Sequence, residues 1–214
     1  MDIEKSAFKH TNQEVRNIIL TTLSLGFAFT LAFFGNSSIE FLFSLEFIKY
    51  FVFSIAIVGI TIIAKEIGQK SIANAQESHA KYEIWAPGII LSILGSFLGF
   101  VPAAVAGTKV YTEYTERIGR WSVELKPQHM GVVALAGPLI CISMAVAFLM
   151  LEPAFSSYSN LFIEAARINT YIGLFSLVPT NSLDGSKILR WQPVVWIFTG
   201  ALSIILLMIL NGLI

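Results

Sequence analysis

Residues 50–70 read YFVFSIAIVGITIIAKEIGQK, an apolar run that ends in charged residues. Its first fifteen residues contain no Asp, Glu, Lys or Arg, and two apolar residues before Lys49 extend the run. A helix needs about 20 mostly apolar residues to cross the hydrocarbon core of a bilayer. The run therefore predicts a membrane-spanning helix with Lys65 and Glu66 at one end.

The composition of the whole chain agrees with a membrane protein. Of 214 residues, 55% are hydrophobic and 13% are charged, whereas a soluble domain usually carries about 25% charged residues. The net charge is zero, so no excess of positive charge would attract a nucleic acid. The single cysteine, Cys141, excludes a disulfide framework. These values exclude an ordinary soluble globule, a disordered chain and a nucleic-acid-binding protein.

Other stretches without Asp, Glu, Lys or Arg predict further helices. We interpret residues 1–16 as a cytoplasmic N-terminal tail and residues 17–214 as a single membrane domain. The fold expected is an all-α polytopic membrane protein with about five or six transmembrane helices. The additional uncharged stretches are Asn17 to Ile39, Ile84 to Thr108, Met130 to Leu151, Ile168 to Leu183 and Trp191 to Ile214.

The stretch from Ile84 to Thr108 is rich in glycine and proline, which weaken or break a helix. It is either one broken span or a hairpin that enters and leaves the membrane on the same side. In the hairpin arrangement, twelve of the fourteen Lys and Arg residues lie on the cytoplasmic side, and only Lys49 and Arg167 lie outside. We therefore prefer five full crossings plus a membrane-embedded hairpin, with six crossings as the alternative. The N-terminus is then cytoplasmic, in a multi-pass protein of the cell membrane.

Two short motifs lie at the predicted cytoplasmic ends of the uncharged stretches that begin at Tyr50 and Ile168. Residues 64–70 read AKEIGQK, residues 177–187 read LVPTNSLDGSK, and between them residues 136–138 read AGP. Together they resemble the site-2 protease family of intramembrane zinc metallopeptidases, with a degenerate HExxH motif. Residues 85–110 look like the glycine-rich membrane-entering segment of the archaeal members, and the resemblance runs from about Phe47 to Trp196.

The resemblance implies roles for the residues that match the motifs. In the family, two histidines and an aspartate bind zinc, and a glutamate acts as general base. Here Glu66 and Asp184 are retained, but Lys65 and Gln69 occupy the two histidine positions. A charged lysine has no acceptor for a metal, so we expect no bound cofactor, although the family implies zinc. The other motif residues matched are Pro179, Gly185, Gly137 and Pro138.

The resemblance also implies a small β-sheet near residues 108–123, where the sequence alone supports only weak strands. We expect the ammonium of Lys65 to pair with Asp184 and to stand in for the missing cation. Asn169 most simply forms a helix–helix hydrogen bond, while the family implies a role in positioning substrate. Three histidines are too far from Glu66 in sequence to complete a motif, and we interpret them as a tail, a loop and an interface residue: His10, His79 and His129.

Three functions are compatible with these features. The first is a catalytically inactive homologue, a pseudoprotease that binds membrane helices without cutting them. The second is an active intramembrane zinc metalloendopeptidase with atypical ligands, supported by Glu66 and Asp184. The third is a small transporter or channel, suggested by the broken segment from Ile84 to Thr108. The partners expected are the lipid bilayer and a transmembrane helix of another membrane protein, with no nucleic acid; the sequence does not define the oligomeric state.

Overall fold

The computed structural model describes residues 11–35, 39–111 and 126–212. The predicted tail up to His10 and any strand within residues 112–123 lie outside these ranges. Two strands form in the described part, β1 (His79–Ile84) and β2 (Ala106–Tyr111). Its α-helices are α1 (Asn12–Phe29, continued by a π-helix at Thr30–Phe34), α2 (Ile39–Leu42), α3 (Leu45–Ala75), α4 (Ala86–Ser96), α5 (Pro127–Leu151), α6 (Ser159–Ser176), α7 (Asp184–Trp191) and α8 (Pro193–Leu210).

Four apolar helical segments of the described chain are long enough to cross a membrane. One of them, Pro127–Ser176, has 50 residues and comprises α5 and α6. A 3-10 segment at Glu152–Tyr158 separates these two helices, and Phe155 within it has non-helical backbone angles (φ −123°, ψ 52°). Because α5 and α6 then pack side by side, they are two helices of a bundle. The prediction of a mostly helical polytopic membrane protein with a small β-element is confirmed.

The first two long helices extend beyond the predicted spans. α1 begins at Asn12, inside the predicted tail, because Thr11 and Glu14 form a capping box. The Thr11 side chain accepts from the Glu14 N–H, and the Glu14 carboxylate accepts from the Thr11 N–H. α3 continues to Ala75, so the whole 64–70 motif lies within one helix.

The helix predicted from the uncharged stretch Ile168 to Leu183 differs from the prediction at both ends. α6 begins at Ser159 and ends at Ser176, so the Glu164–Arg167 ion pair (2.6 Å) lies inside the helix. Asp184 was expected at the end of this helix. It instead begins the separate helix α7. Residues 177–183 form a turn between the two helices, since Pro179 has no N–H and cannot continue α6.

The glycine- and proline-rich segment is a hairpin, as preferred from the distribution of Lys and Arg. β1 and β2 are antiparallel, with Ile84 opposite Ala106, so residues 85–105 leave and return at neighbouring positions. α4 forms the outgoing half and ends at Ser96. Gly99, with φ +76°, lies beyond the helix in the returning turn, a conformation that favours glycine.

The apolar core lies between α1, α3, α6 and the hairpin. Its buried side chains include Phe29, Val58, Ile62, Val101 and Ile168. Polar residues are buried at one end of this core, where the ribbon β1–β2 lies against the second half of α3.

Candidate functional site

Asp184 is the centre of a buried polar cluster. Its carboxylate is fully buried, and Oδ2 lies 2.9 Å from Lys65 Nζ. Gln69 Nε2 donates to the same oxygen at 3.0 Å. Lys65 and Gln69 are four residues apart on α3 and so lie on one face of the helix. The structure thus brings together three of the predicted site residues, and the expected Lys65–Asp184 ion pair is present.

The second oxygen of Asp184 contacts the β-ribbon. Thr108 N donates to Oδ1 at 3.0 Å, and Lys187 Nζ lies 3.6 Å from this oxygen. The Thr108 hydroxyl also donates to Gln69 Oε1. The sequence did not single out Thr108 or Lys187 as site residues. The contact of Lys187 could have been predicted from the sequence, because Lys187 follows Asp184 by three residues and such residues are neighbours on a helix.

Gly137 provides the space for the cluster. A Cβ at this position would lie 2.5 Å from Lys65 Cε, 2.8 Å from Gln69 Nε2 and 3.3 Å from Asp184 Oδ2. α5 can therefore approach α3 and α7 closely only because residue 137 has no side chain. This contact gives the glycine of the AGP motif a structural role.

Pro138, the next residue of the motif, leaves a carbonyl without its usual helical donor. Proline has no N–H, so in α5 it cannot donate to the carbonyl of Ala134, four residues earlier. Gln69 Nε2 lies 3.5 Å from this oxygen and donates to it. The proline thus exposes a backbone acceptor on the face of α5 that contacts the site.

Gly185 and Pro179 shape the turn that carries Asp184. A Cβ at Gly185 would lie 2.0 Å from the carbonyl oxygen of Leu177, so only glycine allows α7 to begin against the end of the turn. Trp196 Nε1 donates to the same carbonyl at 2.7 Å. Pro179 lies in the middle of the turn, between α6 and α7. These contacts position the first residue of α7 against α3.

Glu66, which the resemblance implies as general base, belongs to a second buried cluster. Its Oε1 lies 2.9 Å from Lys70 Nζ, and Lys70 Nζ lies 3.3 Å from Glu14 Oε1. All three side chains are buried. The i,i+4 spacing of Glu66 and Lys70 was a signal for this pair in the sequence. The burial of Glu14 had no such signal, because the residue was assigned to the tail.

Asn169 forms the expected helix–helix hydrogen bond. Its Oδ1 accepts from Thr61 Oγ1 at 2.9 Å, which links α6 to α3, and its Nδ2 donates to Ala165 O.

The structure describes two of the three histidines, and both lie outside the Asp184 cluster. His79 begins β1 and is half-buried, so its interpretation as a loop residue is wrong, because antiparallel pairing with Tyr111 makes it a strand residue. His129 lies in the first turn of α5.

The two lysines beside Asp184 stabilise its ionised carboxylate. Burial alone raises the pKa of the Asp184 carboxyl, but the neighbouring Lys65 and Lys187 ammonium groups and the hydrogen bonds outweigh it and hold the pKa below its ordinary value. Burial lowers the pKa of Lys187, although Asp184 opposes this effect. Asp184 is therefore ionised at neutral pH.

The donor set of this cluster does not fit a zinc ion. Zinc in proteins is bound by thiolate, imidazole and carboxylate groups, and here a carboxylate is accompanied by an ammonium group and an amide. The ammonium has no lone pair for a metal. Within the described residues, no group of three or more His, Cys, Asp or Glu side chains could hold a metal ion.

Comparison with known proteins gives one informative relative. The chain is 27% identical over 199 residues to a protein of Methanocaldococcus jannaschii named "putative zinc metalloprotease", covering 91% of this chain and 93% of that protein. No family model and no solved structure matches the chain. Similarity along nearly the whole of both chains, together with the apolar helices, supports a protease-like membrane protein related to metalloproteases.

Proposed function

We propose that this chain is a site-2-protease-like membrane protein that binds a transmembrane helix of a partner protein without cleaving it. The observation that carries the proposal is the contact of Lys65 Nζ with Asp184 at 2.9 Å. The ammonium group takes the place that the resemblance assigns to a metal. A buried ion pair satisfies the carboxylate and leaves no open coordination position for a water molecule.

The position of Glu66 also supports an inactive site. A general base must lie within hydrogen-bond reach of the water it activates. The Glu66 carboxylate forms an ion pair with Lys70, which also contacts Glu14 on α1. This pairing directs Glu66 to a cluster different from the one that contains Asp184.

An active zinc metalloendopeptidase is the second candidate. It is supported by the printed name of the relative and by the presence of both Glu66 and Asp184. In this case Lys65 would have to leave Asp184 when the metal binds.

Elemental analysis of the purified protein separates the two candidates. The pseudoprotease predicts substoichiometric zinc in the wild type, equal to that of an Asp184→Ala variant. Stoichiometric zinc that disappears in Asp184→Ala would overturn the proposal and favour the active enzyme.

Restoring the two histidines tests whether the scaffold could hold a metal. A Lys65→His, Gln69→His double variant places two imidazoles on the α3 face that contacts Asp184, and we expect it to bind one zinc ion per chain. Ile63→His with Ile67→His is the matched control, because it places two imidazoles at the same spacing on an exposed face of α3, and it should bind none.

The binding of a partner helix is tested separately. A fluorescently labelled model transmembrane peptide is reconstituted with labelled protein in liposomes, and energy transfer measures association. We expect transfer that an unlabelled peptide competes away, and intact peptide by mass spectrometry. Cleaved peptide would contradict the proposal. Energy transfer no higher than that expected from random mixing would show that the protein does not bind the peptide.

A further inference from the structure

Helices α1 and α7 contact the β1–β2 ribbon at opposite edges, α1 at β1 and α7 at β2. Both contacts are made at the same cross-strand pair of residues. Tyr82 of β1 faces Thr108 of β2 in the antiparallel register. Trp85 N donates to Val105 O at 2.7 Å, which makes 85 and 105 a hydrogen-bonded pair. Because such pairs alternate, Tyr82 and Thr108 form a pair whose backbone groups point outward, away from the opposite strand.

On the β1 edge, side chains of α1 bind both outward groups of Tyr82. Tyr82 N donates to Glu14 Oε1 at 3.3 Å, and Asn17 Nδ2 donates to Tyr82 O at 3.4 Å. Glu14 and Asn17 are three residues apart on one face of α1, and both are buried. They supply the acceptor and the donor that a further strand would supply.

On the β2 edge, α7 and the turn before it close the ribbon. Asp184 Oδ1 accepts from Thr108 N at 3.0 Å. At the adjacent Gly107, a Cβ would lie 2.1 Å from Ser182 O and 2.8 Å from Leu183 Cα. The backbone of the turn thus lies directly against the strand.

A strand edge with free backbone groups accepts an extended peptide by β-augmentation. We propose that Glu14, Asn17 and Asp184 form an edge clamp that prevents an extended peptide from pairing with the ribbon at Tyr82 and Thr108. The clamp is anchored on α3, because Lys70 contacts Glu14 and Lys65 contacts Asp184. It acts on backbone pairing and does not depend on the function proposed above.

Hydrogen–deuterium exchange of the wild-type protein in nanodiscs gives the first test. By the same alternation, the N–H groups of Lys81 and Glu83 pair with β2. We expect the amides of Tyr82 and Thr108 to exchange within about tenfold of these two. Exchange of Tyr82 or Thr108 at the rate of an unprotected amide would overturn the clamp without any variant.

Variants test the assignment of the α1 side chains. Glu14→Leu should accelerate exchange of the Tyr82 amide about tenfold or more, because a hydrogen bond to a charged acceptor is lost. Glu14→Gln retains an acceptor oxygen and should accelerate it less. Glu164→Leu removes a carboxylate of another ion pair, on α6, and serves as the matched control with unchanged exchange at Tyr82. Equal exchange in Glu14→Leu and the wild type would contradict the clamp.

A peptide probe tests closure of the edge directly. A synthetic peptide with the β2 sequence AGTKVY and a photoreactive benzophenone group is added in detergent. Labelling of β1 should be at least about fivefold higher in an Asn17→Ala, Glu14→Leu double variant than in the wild type. The Glu164→Leu protein should label like the wild type. Wild-type labelling as strong as in the double variant would show that the edge is open.

Discussion

The ammonium of Lys65 and the side-chain amide of Gln69 contact the same oxygen of Asp184, at 2.9 and 3.0 Å. Two residues one turn apart on α3 therefore converge on the first residue of α7. The arrangement makes the stability of the bundle depend on a charge pair in its interior, and this dependence can be measured.

Removing the ammonium should leave a buried carboxylate without its main partner. We expect Lys65→Met to lower the free energy of unfolding by about 3–5 kcal/mol. Adding Asp184→Asn should recover part of this loss, because asparagine is neutral and its one side-chain oxygen can still accept from Thr108 N. Unfolding in mixed micelles measures both variants. Lys49→Met, at an exposed position of α3, should change stability by less than about 0.5 kcal/mol. Equal loss in the single and double variants would show that the charge is not the cause.

The space at residue 137 should be essential for the site. Gly137→Ala places a methyl group 2.5 Å from Lys65 Cε, so we expect a loss of about 1–3 kcal/mol from overpacking. Gly200→Ala on α8 has nothing within 4 Å of the added Cβ and should be neutral or stabilising by up to about 1 kcal/mol. Thermal unfolding of the two variants in the same detergent checks this difference. A neutral Gly137→Ala would mean that α3 and α5 separate without cost.

The ionisation of Asp184 should appear in the pH dependence of stability. Its pKa in the folded protein lies below the ordinary value of 3.8, so the unfolded chain binds the proton more tightly. The contribution is therefore fully present above about pH 4 and is lost as the pH falls through the lower, folded-state pKa. Melting temperatures of the wild type and Asp184→Asn should converge as the solution is acidified below this pH. Curves that stay parallel would contradict the ion pair.

The Thr61–Asn169 hydrogen bond should contribute to the packing of α3 against α6. A double-mutant cycle with Thr61→Val and Asn169→Leu should give a coupling energy of about 0.5–1.5 kcal/mol, typical of hydrogen bonds between membrane helices. Thr199→Val on α8 is a suitable control, because its hydroxyl bonds to its own helix at Val195 O. A coupling of zero would favour the substrate-positioning role that the resemblance implies for Asn169.

Most of the helical architecture could be predicted because apolar runs reveal membrane helices directly. The Lys65–Asp184 contact was also predictable, since both residues lie at the same end of their predicted spans. The hairpin followed from the distribution of Lys and Arg along the chain. In each case the signal was present in one-dimensional patterns of charge and hydropathy.

Other features depend on contacts that no such pattern reveals. Glu14 is buried because Tyr82 N and Lys70 lie opposite it, and both belong to segments far from it in sequence. Thr108 reaches Asp184 only because pairing with β1 sets its register. The separate start of α7 at Asp184 required the turn at Pro179, which a continuous uncharged stretch concealed.

The two ammonium groups around Asp184 determine the net charge of the site. Lys65 and Lys187 lie 2.9 and 3.6 Å from the carboxylate oxygens. With both ammonium groups protonated, the three side chains together carry one net positive charge. A divalent cation held by one carboxylate and two neutral imidazoles would carry the same charge. The cluster thus keeps the net charge that such a metal centre would have, although its donor set does not fit a metal.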